Sequence, residues 1–431
     1  MKIPQKAPDM WEIVGKHPEM LHMFVDPQMQ EMVAKYNREY VHWEELRHRK
    51  LPVEAEQLWA LIKSARTLQA RRVEFGEWTF RYVLSGDTLR RLHLLDTKGA
   101  GYLESGPGGV SAADRKRYIV NSLMEEAIAS SQLEGAATTR EAAKKMLRQE
   151  RKPRDYSEKM ILNGYQTMCR IAEMKDRSID VETLLEIHRE ITHDTLEDPE
   201  HEGKFRDNNG IVVADPQDGN KVYHIPPDYQ KIPSLMKEFC WFASNDEEDF
   251  IHPLIKGIIL HFLIGYIHPF TDGNGRSARS IFYWYMLSRG YWLFEYMPIS
   301  RILLRSKTSY SLAYLYTETD ENDLTYFINY NLSAIEKALK DLEEYIALKK
   351  QENYDTMHII ETSENLNLRQ ADILKNLLKE PDRYFSIAEI KGKYNVAYDT
   401  ARNDMQHLVK QGYVERIERG KSYMYRYKGV K

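Results

Sequence analysis

The sequence predicts a mainly α-helical protein with one β-hairpin near its middle and a smaller C-terminal unit of three helices and a second hairpin. Three observations predict it. Apolar residues recur at helical spacing through most of the chain. Two short β-prone runs, residues 211–213 and 221–225, flank a turn that contains Pro216 and Gly219. The tail also differs in charge from the whole: residues 369–431 hold 14 Lys and Arg against 8 Asp and Glu, a net of +6, in a chain whose net charge is −4. The expected organisation is a helical accessory region over 1–110, a catalytic domain over 111–355 and a tail domain over 365–431.

Length and composition set the bounds. A chain of 431 residues with 42% hydrophobic residues can fill two or three cores. The near-balanced charge excludes a global nucleic-acid signature. Two cysteines, Cys169 and Cys240, suit a reducing compartment and no disulfide framework. No apolar run reaches the roughly 18 residues that cross a membrane, and no apolar leader opens the chain. The expectation is a soluble, cytoplasmic protein with no membrane contact.

In chain order, helical patterns cover 18–46 and 53–73, and Trp11, Tyr36, Tyr40, Trp43, Trp59, Trp78 and Tyr82 read as packing residues. The Gly-rich piece 99–109 reads as a loop. It has Gly-Pro-Gly-Gly but no Gly-Lys-(Ser/Thr), so it is no P-loop. A helix start at 111–114 leads into a helix over 118–133, with Gly135 as its C-cap. Thr138 and Glu141 fit a capping box opening a helix to about residue 150. Amphipathic helices follow at 156–175 and 179–192. His188, on the second, reads as a packed helix residue, because no Cys stands near it at zinc-site spacing. The hairpin occupies 205–227. Helices at 254–267 and 277–287 enclose a short loop, and helical segments at 300–316 and 324–351 complete the domain. Tyr310 and Tyr314, one helical turn apart, have core spacing. The tail reads as helices at 368–380, 386–394 and 398–411, then strands around a Gly420 turn, which resembles a winged helix-turn-helix. Tyr398, Thr400, Arg402, Asn403 and Gln406 are the residues its third helix could bring to a DNA major groove. A protein-interaction module fits the same pattern.

The loop His268-Pro-Phe-Thr-Asp-Gly-Asn-Gly-Arg-Ser-Ala-Arg279 concentrates the chemistry. Gly273 and Gly275 around Asn274 let a ligand approach the backbone closely. Successive backbone N–H groups and the following helix N-terminus form an anion cradle. Arg276 and Arg279, three apart, project to one side. Asp272 offers a hard carboxylate for Mg²⁺. His268 is a base of suitable pKa. Phe270 is expected to turn into the core. Any one of these pieces alone is an ordinary turn residue; together they make a polyphosphate site.

This stretch resembles the signature of the Fic family, His-Pro-Phe-x-(Asp/Glu)-Gly-Asn-Gly-Arg-x-x-Arg, with every fixed position filled. The resemblance covers about residues 115–350. It implies a helical domain that moves AMP from ATP to a protein hydroxyl. His268 would accept the hydroxyl proton and Asp272 would bind Mg²⁺. Asn274 and the loop amides would hold the α- and β-phosphates, and Arg276 and Arg279 the outer ones. Gly275 stands where the kinase-like Doc branch has Lys, which argues for AMP transfer. Ser130-x-x-x-Glu134-Gly135 resembles the family's inhibitory motif, so Glu134 would form a bidentate ion pair with Arg279 and take the seat of the γ-phosphate. The 205–227 hairpin resembles the family's flap, an edge for docking a target protein. Ile211, Val212 and Val213 would touch the nucleotide, and Tyr310 would lie by the adenine. Transfer of UMP or phosphocholine, a DNA-binding regulator that senses nucleotide, removal of AMP with Glu134 orienting a water, and a homodimer that controls Glu134 all stay open.

Overall fold

The computed structural model describes residues 2–99, 112–215, 218–245, 250–362, 366–379, 383–419 and 422–428. Of the expected loop at 99–109 all but Gly99, which ends a helix, lies outside them, as do residue 111, Pro216 and Gly420. The chain forms two compact units, one of Met1–Ser105 with Ala112–Leu342, the other including Glu343–Lys431.

The first unit begins with α1 (Met10–Lys16), a 3-10 turn (Pro18–Phe24), α2 (Pro27–Glu39), α3 (Trp43–Leu46) and α4 (Ala55–Gln69). Asp9 and Asp26 cap α1 and α2, their carboxylates accepting backbone N–H groups of the first turn. Leu58, Trp59 and Ile62 of α4 bury completely against Trp43 and Leu46. The sequence pattern extends this helix to residue 73, and the structure corrects it. After Gln69 the chain makes an antiparallel hairpin, β1 (Arg71–Phe75) and β2 (Trp78–Tyr82), followed by α5 (Gly86–Gly99). Val73, Phe75, Phe80 and Tyr82 are buried in alternation, which is strand periodicity. Phe75 pairs with Trp78 across the two-residue turn Gly76-Glu77.

Buried polar contacts join this region to the helices that follow. Lys63 Nζ donates to Asp320 Oδ1 at 2.7 Å, Tyr40 OH to Asp323 Oδ2 at 2.7 Å, and Arg66 Nη1 to Tyr326 OH at 2.8 Å. Ions so far from water hold only while every partner is in place.

The remaining helices of the unit are α6 (Ala112–Leu133), α7 (Arg140–Arg148), α8 (Tyr156–Glu173), α9 (Val181–Thr192), α10 (Ile232–Ser244), α11 (Pro253–Ile267), α12 (Asn274–Ser288), α13 (Ile299–Arg305), α14 (Lys307–Thr319) and, as far as Leu342, α15 (Thr325–Thr362). The expected hairpin is present as β3 (Val213–Ala214) and β4 (Val222–His224), antiparallel with an irregular register. α11 is mostly apolar and buried along most of its length, and it packs against α10 and α12. The cap of α7 is Thr139, not Thr138: its hydroxyl accepts from Ala142 N–H, so Glu141 stands one position short of a capping box.

The second unit contains α16 (Leu368–Lys379), β5 (Phe385–Ser386), α17 (Ile387–Tyr394), α18 (Tyr398–Lys410), β6 (Val414–Arg419) and β7 (Ser422–Tyr427). Its sheet has the order β5-β7-β6, one strand more than the expected hairpin. Ile373, Leu374, Ala401, Met405 and Leu408 form its core. Tyr398, Arg402, Asn403 and Gln406 of α18 are exposed and Thr400 is half-buried. This is the three-helix winged arrangement expected from the sequence.

Candidate active site

The loop between α11 and α12 is held rigidly from inside and outside. α11 ends where His268 takes a left-handed conformation (φ 51°) and donates its N–H to the Ile264 carbonyl at 2.9 Å. Phe270 is buried, as expected, and its ring stacks on that of His188 at 3.8 Å. Asn274 closes the loop on itself. Its Oδ1 accepts from Phe270 N–H and its Nδ2 donates to the Phe270 carbonyl, both at 2.9 Å. One amide hydrogen and the amide oxygen of the side chain expected to meet phosphate are thus committed to the loop.

Two residues to which the sequence assigned no such role hold the loop from outside. His188, fully buried on α9, lies 3.0 Å by Nε2 from the Asp272 carbonyl, and its Nδ1 accepts from Gly203 N–H at 3.0 Å. Accepting at Nδ1 makes Nε2 the protonated nitrogen. Burial drives the His188 pKa down to about 4, so this neutral tautomer persists at neutral pH. Arg206 is equally buried. It donates from Nε to the His268 carbonyl at 2.9 Å and from Nη1 to the Asn208 carbonyl at 2.7 Å, and from Nη2 to the Pro227 carbonyl. One guanidinium therefore fastens the loop to both ends of the hairpin.

His268 is half-buried. Its Nδ1 faces the Gly265 carbonyl at 3.2 Å, which makes Nδ1 the protonated nitrogen and leaves Nε2 with its lone pair. Burial lowers its pKa to about 4, so it is a neutral base near pH 7.

α12 starts at Gly273 (φ 79°), and no side chain caps it. Its first-turn N–H groups form the donor end of a helix dipole. Asp272 stands at this end with its side chain 54% exposed. Its Oδ1 accepts from Gly273 N–H at 2.6 Å and its Oδ2 lies 3.4 Å from Arg276 Nη2, so each oxygen keeps a lone pair. One accessible carboxylate beside an anion cradle suits Mg²⁺, which takes few protein ligands and completes its shell with phosphate and water. Arg276 is buried and donates from Nη1 to the Ile191 carbonyl at 3.0 Å.

Arg279 is occupied. Nη2 donates to Glu134 Oε1 at 2.8 Å and to the Ser130 carbonyl at 3.0 Å, and Nε donates to Ser130 Oγ at 2.8 Å. The expected bidentate pair is thus a single carboxylate contact flanked by two from Ser130. Burial pushes the Glu134 carboxyl up, but Arg279, with Arg276 and Lys307 behind it, outweighs that and holds it below its ordinary value. The carboxylate reaches this position because α6 stops beneath it. Ala136 N–H bonds to the Ser131 carbonyl and Gly135 N–H to that of Gln132, with Gly135 at φ 97°. This is a Schellman ending, which glycine adopts without strain. Lys307 Nζ caps the Leu133 carbonyl at 2.8 Å.

Of the other expected contacts, Tyr310 lies on α14 with its hydroxyl 2.8 Å from His261 Nε2. Ile211 and Val213 are half-buried and Val212 is 40% exposed on the hairpin.

A methyl group added at Gly275 would sit 2.1 Å from Glu134 Oε1 and 3.2 Å from Arg279 Nη1. The carboxylate is the flexible end of that contact. The Gly275→Ala variant is therefore expected, in a crystal structure, to show Glu134 displaced from hydrogen-bonding distance of Arg279. An unchanged Glu134–Arg279 pair in that variant would contradict this geometry.

Residues 178–286 match the model of the Fic/DOC family, and residues 369–423 match a DeoR-like helix-turn-helix domain. A protein adenylyltransferase Fic of Nematostella vectensis is 35% identical over 106 residues, 24% of this chain and 22% of the relative. One from Drosophila mojavensis is 30% identical over 113 residues, 26% of this chain and 20% of the relative. The chain thus spans about a fifth of the length of these curated relatives. Among solved structures, a Fic family protein from Desulfovibrio desulfuricans G20 superposes with a TM-score of 0.53 at 18% identity, over 80% of this chain and 96% of the other. Fic-1 from C. elegans, residues 134–508, gives 0.52 at 17%, over 77% and 88%. No helix among the described residues is long and apolar enough to cross a membrane. The chain carries a Fic-family domain, followed by a DeoR-like helix-turn-helix domain.

Proposed function

We propose that this chain is an autoinhibited protein adenylyltransferase that moves AMP from ATP to a Ser, Thr or Tyr hydroxyl of a target protein. The observation that carries the reading is a neutral His268, free at Nε2, beside an uncapped helix N-terminus whose Arg279 is taken by Glu134. In this reading the target segment lies along the 205–227 hairpin and presents its hydroxyl to His268 Nε2. The hydroxyl oxygen attacks the α-phosphorus as its proton passes to Nε2. The bond from the α-phosphorus to the bridging oxygen breaks, and pyrophosphate leaves. First-turn N–H groups of α12 hold the phosphates, and positioning supplies most of the rate. Mg²⁺ on Asp272 would neutralise phosphate charge and orient the leaving group. Arg279 holds the γ-phosphate once Glu134 withdraws. Arg276, Ile211, Val212, Val213 and Tyr310 complete the nucleotide site, and Ser130 and Gly135 seat the inhibitory glutamate.

The test is transfer of label from α-labelled ATP to protein, with γ-labelled ATP as control. Glu134→Gly is expected to raise α-label transfer about tenfold or more, the equivalent of roughly 1.4 kcal/mol. His268→Ala is expected to lower it by about a hundredfold or more. Transfer of γ-label would make the reaction a phosphorylation. ATP binding without transfer in any variant would sink the reading in favour of another donor, such as UTP or a choline conjugate.

A second reading adds to this one. The exposed residues of α18 and the net charge of +6 over residues 369–431 favour DNA binding by the helix-turn-helix domain. The full chain is expected to shift the fluorescence anisotropy of a labelled duplex. Its affinity should fall steeply with salt, and Arg402→Ala should weaken it. No salt-dependent binding would remove this role and leave the domain to protein contacts.

A further inference from the structure

One buried histidine next to the site has no part in the chemistry above. His224 ends β4, and its side chain is 9% exposed. Its Nδ1 lies 2.7 Å from Glu318 Oε2, on α14. Its Nε2 lies 2.7 Å from the Tyr266 carbonyl, in the last turn of α11. A carboxylate oxygen and a carbonyl oxygen both accept, and a neutral imidazole has one N–H to give. Two such contacts call for two ring protons, so the geometry makes His224 an imidazolium. Burial pulls its pKa down, but the Glu318 hydrogen bond and charge, with the Tyr266 carbonyl, outweigh that and raise it above 6.5.

The carbonyl that His224 holds stands two residues before His268. The ring of Tyr266 is gripped in turn by Trp78 and Phe80 of β2, each edge-on at 5.4 Å, and its centroid is 4.9 Å from that of His224. Three elements therefore meet on the end of α11. The charge on His224 also reaches His268, where after burial it is among the influences that favour the neutral form.

We propose that His224 is a positioning residue: its imidazolium latches β4 to Glu318 and to the end of α11, two residues before His268. The proposal rests on His268 as the base of the transfer assigned above. His224 faces Glu318 from α14, the Tyr266 carbonyl and ring from α11, and His268 from the loop. His268 in turn faces His224, Arg206 and, from α6, Glu134. Arg206 and His224 add positive charge, and Glu134 opposes them. Removing the charge on His224 therefore lets His268 take a proton at higher pH.

Two measurements on the full chain test this. The first is ¹⁵N NMR of labelled histidine side chains as a function of pH. His224 is expected to be doubly protonated at neutral pH and His268 neutral. Glu318→Gln should lower the titration midpoint of His224, and His224→Gln should raise that of His268. The second is the pH–rate profile of α-label transfer in the Glu134→Gly background. His224→Gln should lower the plateau and move the acid limb to higher pH, whereas loss of a merely structural contact would lower the whole curve without moving its inflection. A neutral His224 near pH 7, or an unmoved His268 midpoint, overturns the proposal. Absence of transfer by Glu134→Gly itself would instead fail the adenylyltransferase reading, and the NMR titration would still decide the charge of His224.

Discussion

The same guanidinium donors cannot serve a carboxylate and a phosphate at once. Arg279 is buried, and its Nε and Nη2 donors go to Ser130 and Glu134. A buried cation requires a partner at all times, because leaving it bare costs several kcal/mol. A triphosphate could take the place of Glu134, but it must displace a carboxylate held below its ordinary pKa by the same charge. In the proposed reading the brake and the substrate seat are one atom group, and what fixes the end of α6, from the Gly135 turn to the Lys307 cap, would set how hard that seat is to free.

The rest of the unit makes the seat rigid. Arg206 joins the loop to both ends of the hairpin, His188 joins it to α9, and Asn274 closes it from within. The N-terminal hairpin reaches the same place from the other side through Trp78 and Phe80 on Tyr266. The accessory region is bound into the unit by Lys63–Asp320, Tyr40–Asp323 and Arg66–Tyr326. The sequence marks its aromatics as packing residues without indicating where they act.

What the sequence made legible was local. The phosphate chemistry proposed for this chain lies within one twelve-residue loop, and Ser130, Glu134 and Gly135 stand within six residues of one another. The three helices of the tail follow from their own periodicity. What it hid depends on contacts between distant residues. His188 meets a carbonyl 84 positions away and Arg206 one 62 positions away. Neither carries a local signal, since a buried histidine on an amphipathic helix looks the same whatever it bonds. Local signals also misled where two structures compete. The helical pattern over 53–73 overruns the first residues of β1, whose hairpin turn is only Gly76-Glu77. Thr138 and Thr139 are chemically equivalent caps, and packing chose the second. Asn274 has donors enough for phosphate, but the loop takes one amide hydrogen and the amide oxygen of its side chain first.

The central claim is that Glu134 restrains transfer through Arg279 and not through its charge alone. The most direct test is a double-mutant cycle in single-turnover transfer of α-label, using the unmodified chain, Glu134→Gly, Arg279→Ala and the double variant. If the shared guanidinium is the brake, Glu134→Gly accelerates the unmodified chain and leaves the residual rate of Arg279→Ala unchanged. Equal acceleration in both backgrounds would contradict the account, because Glu134 would then act without Arg279.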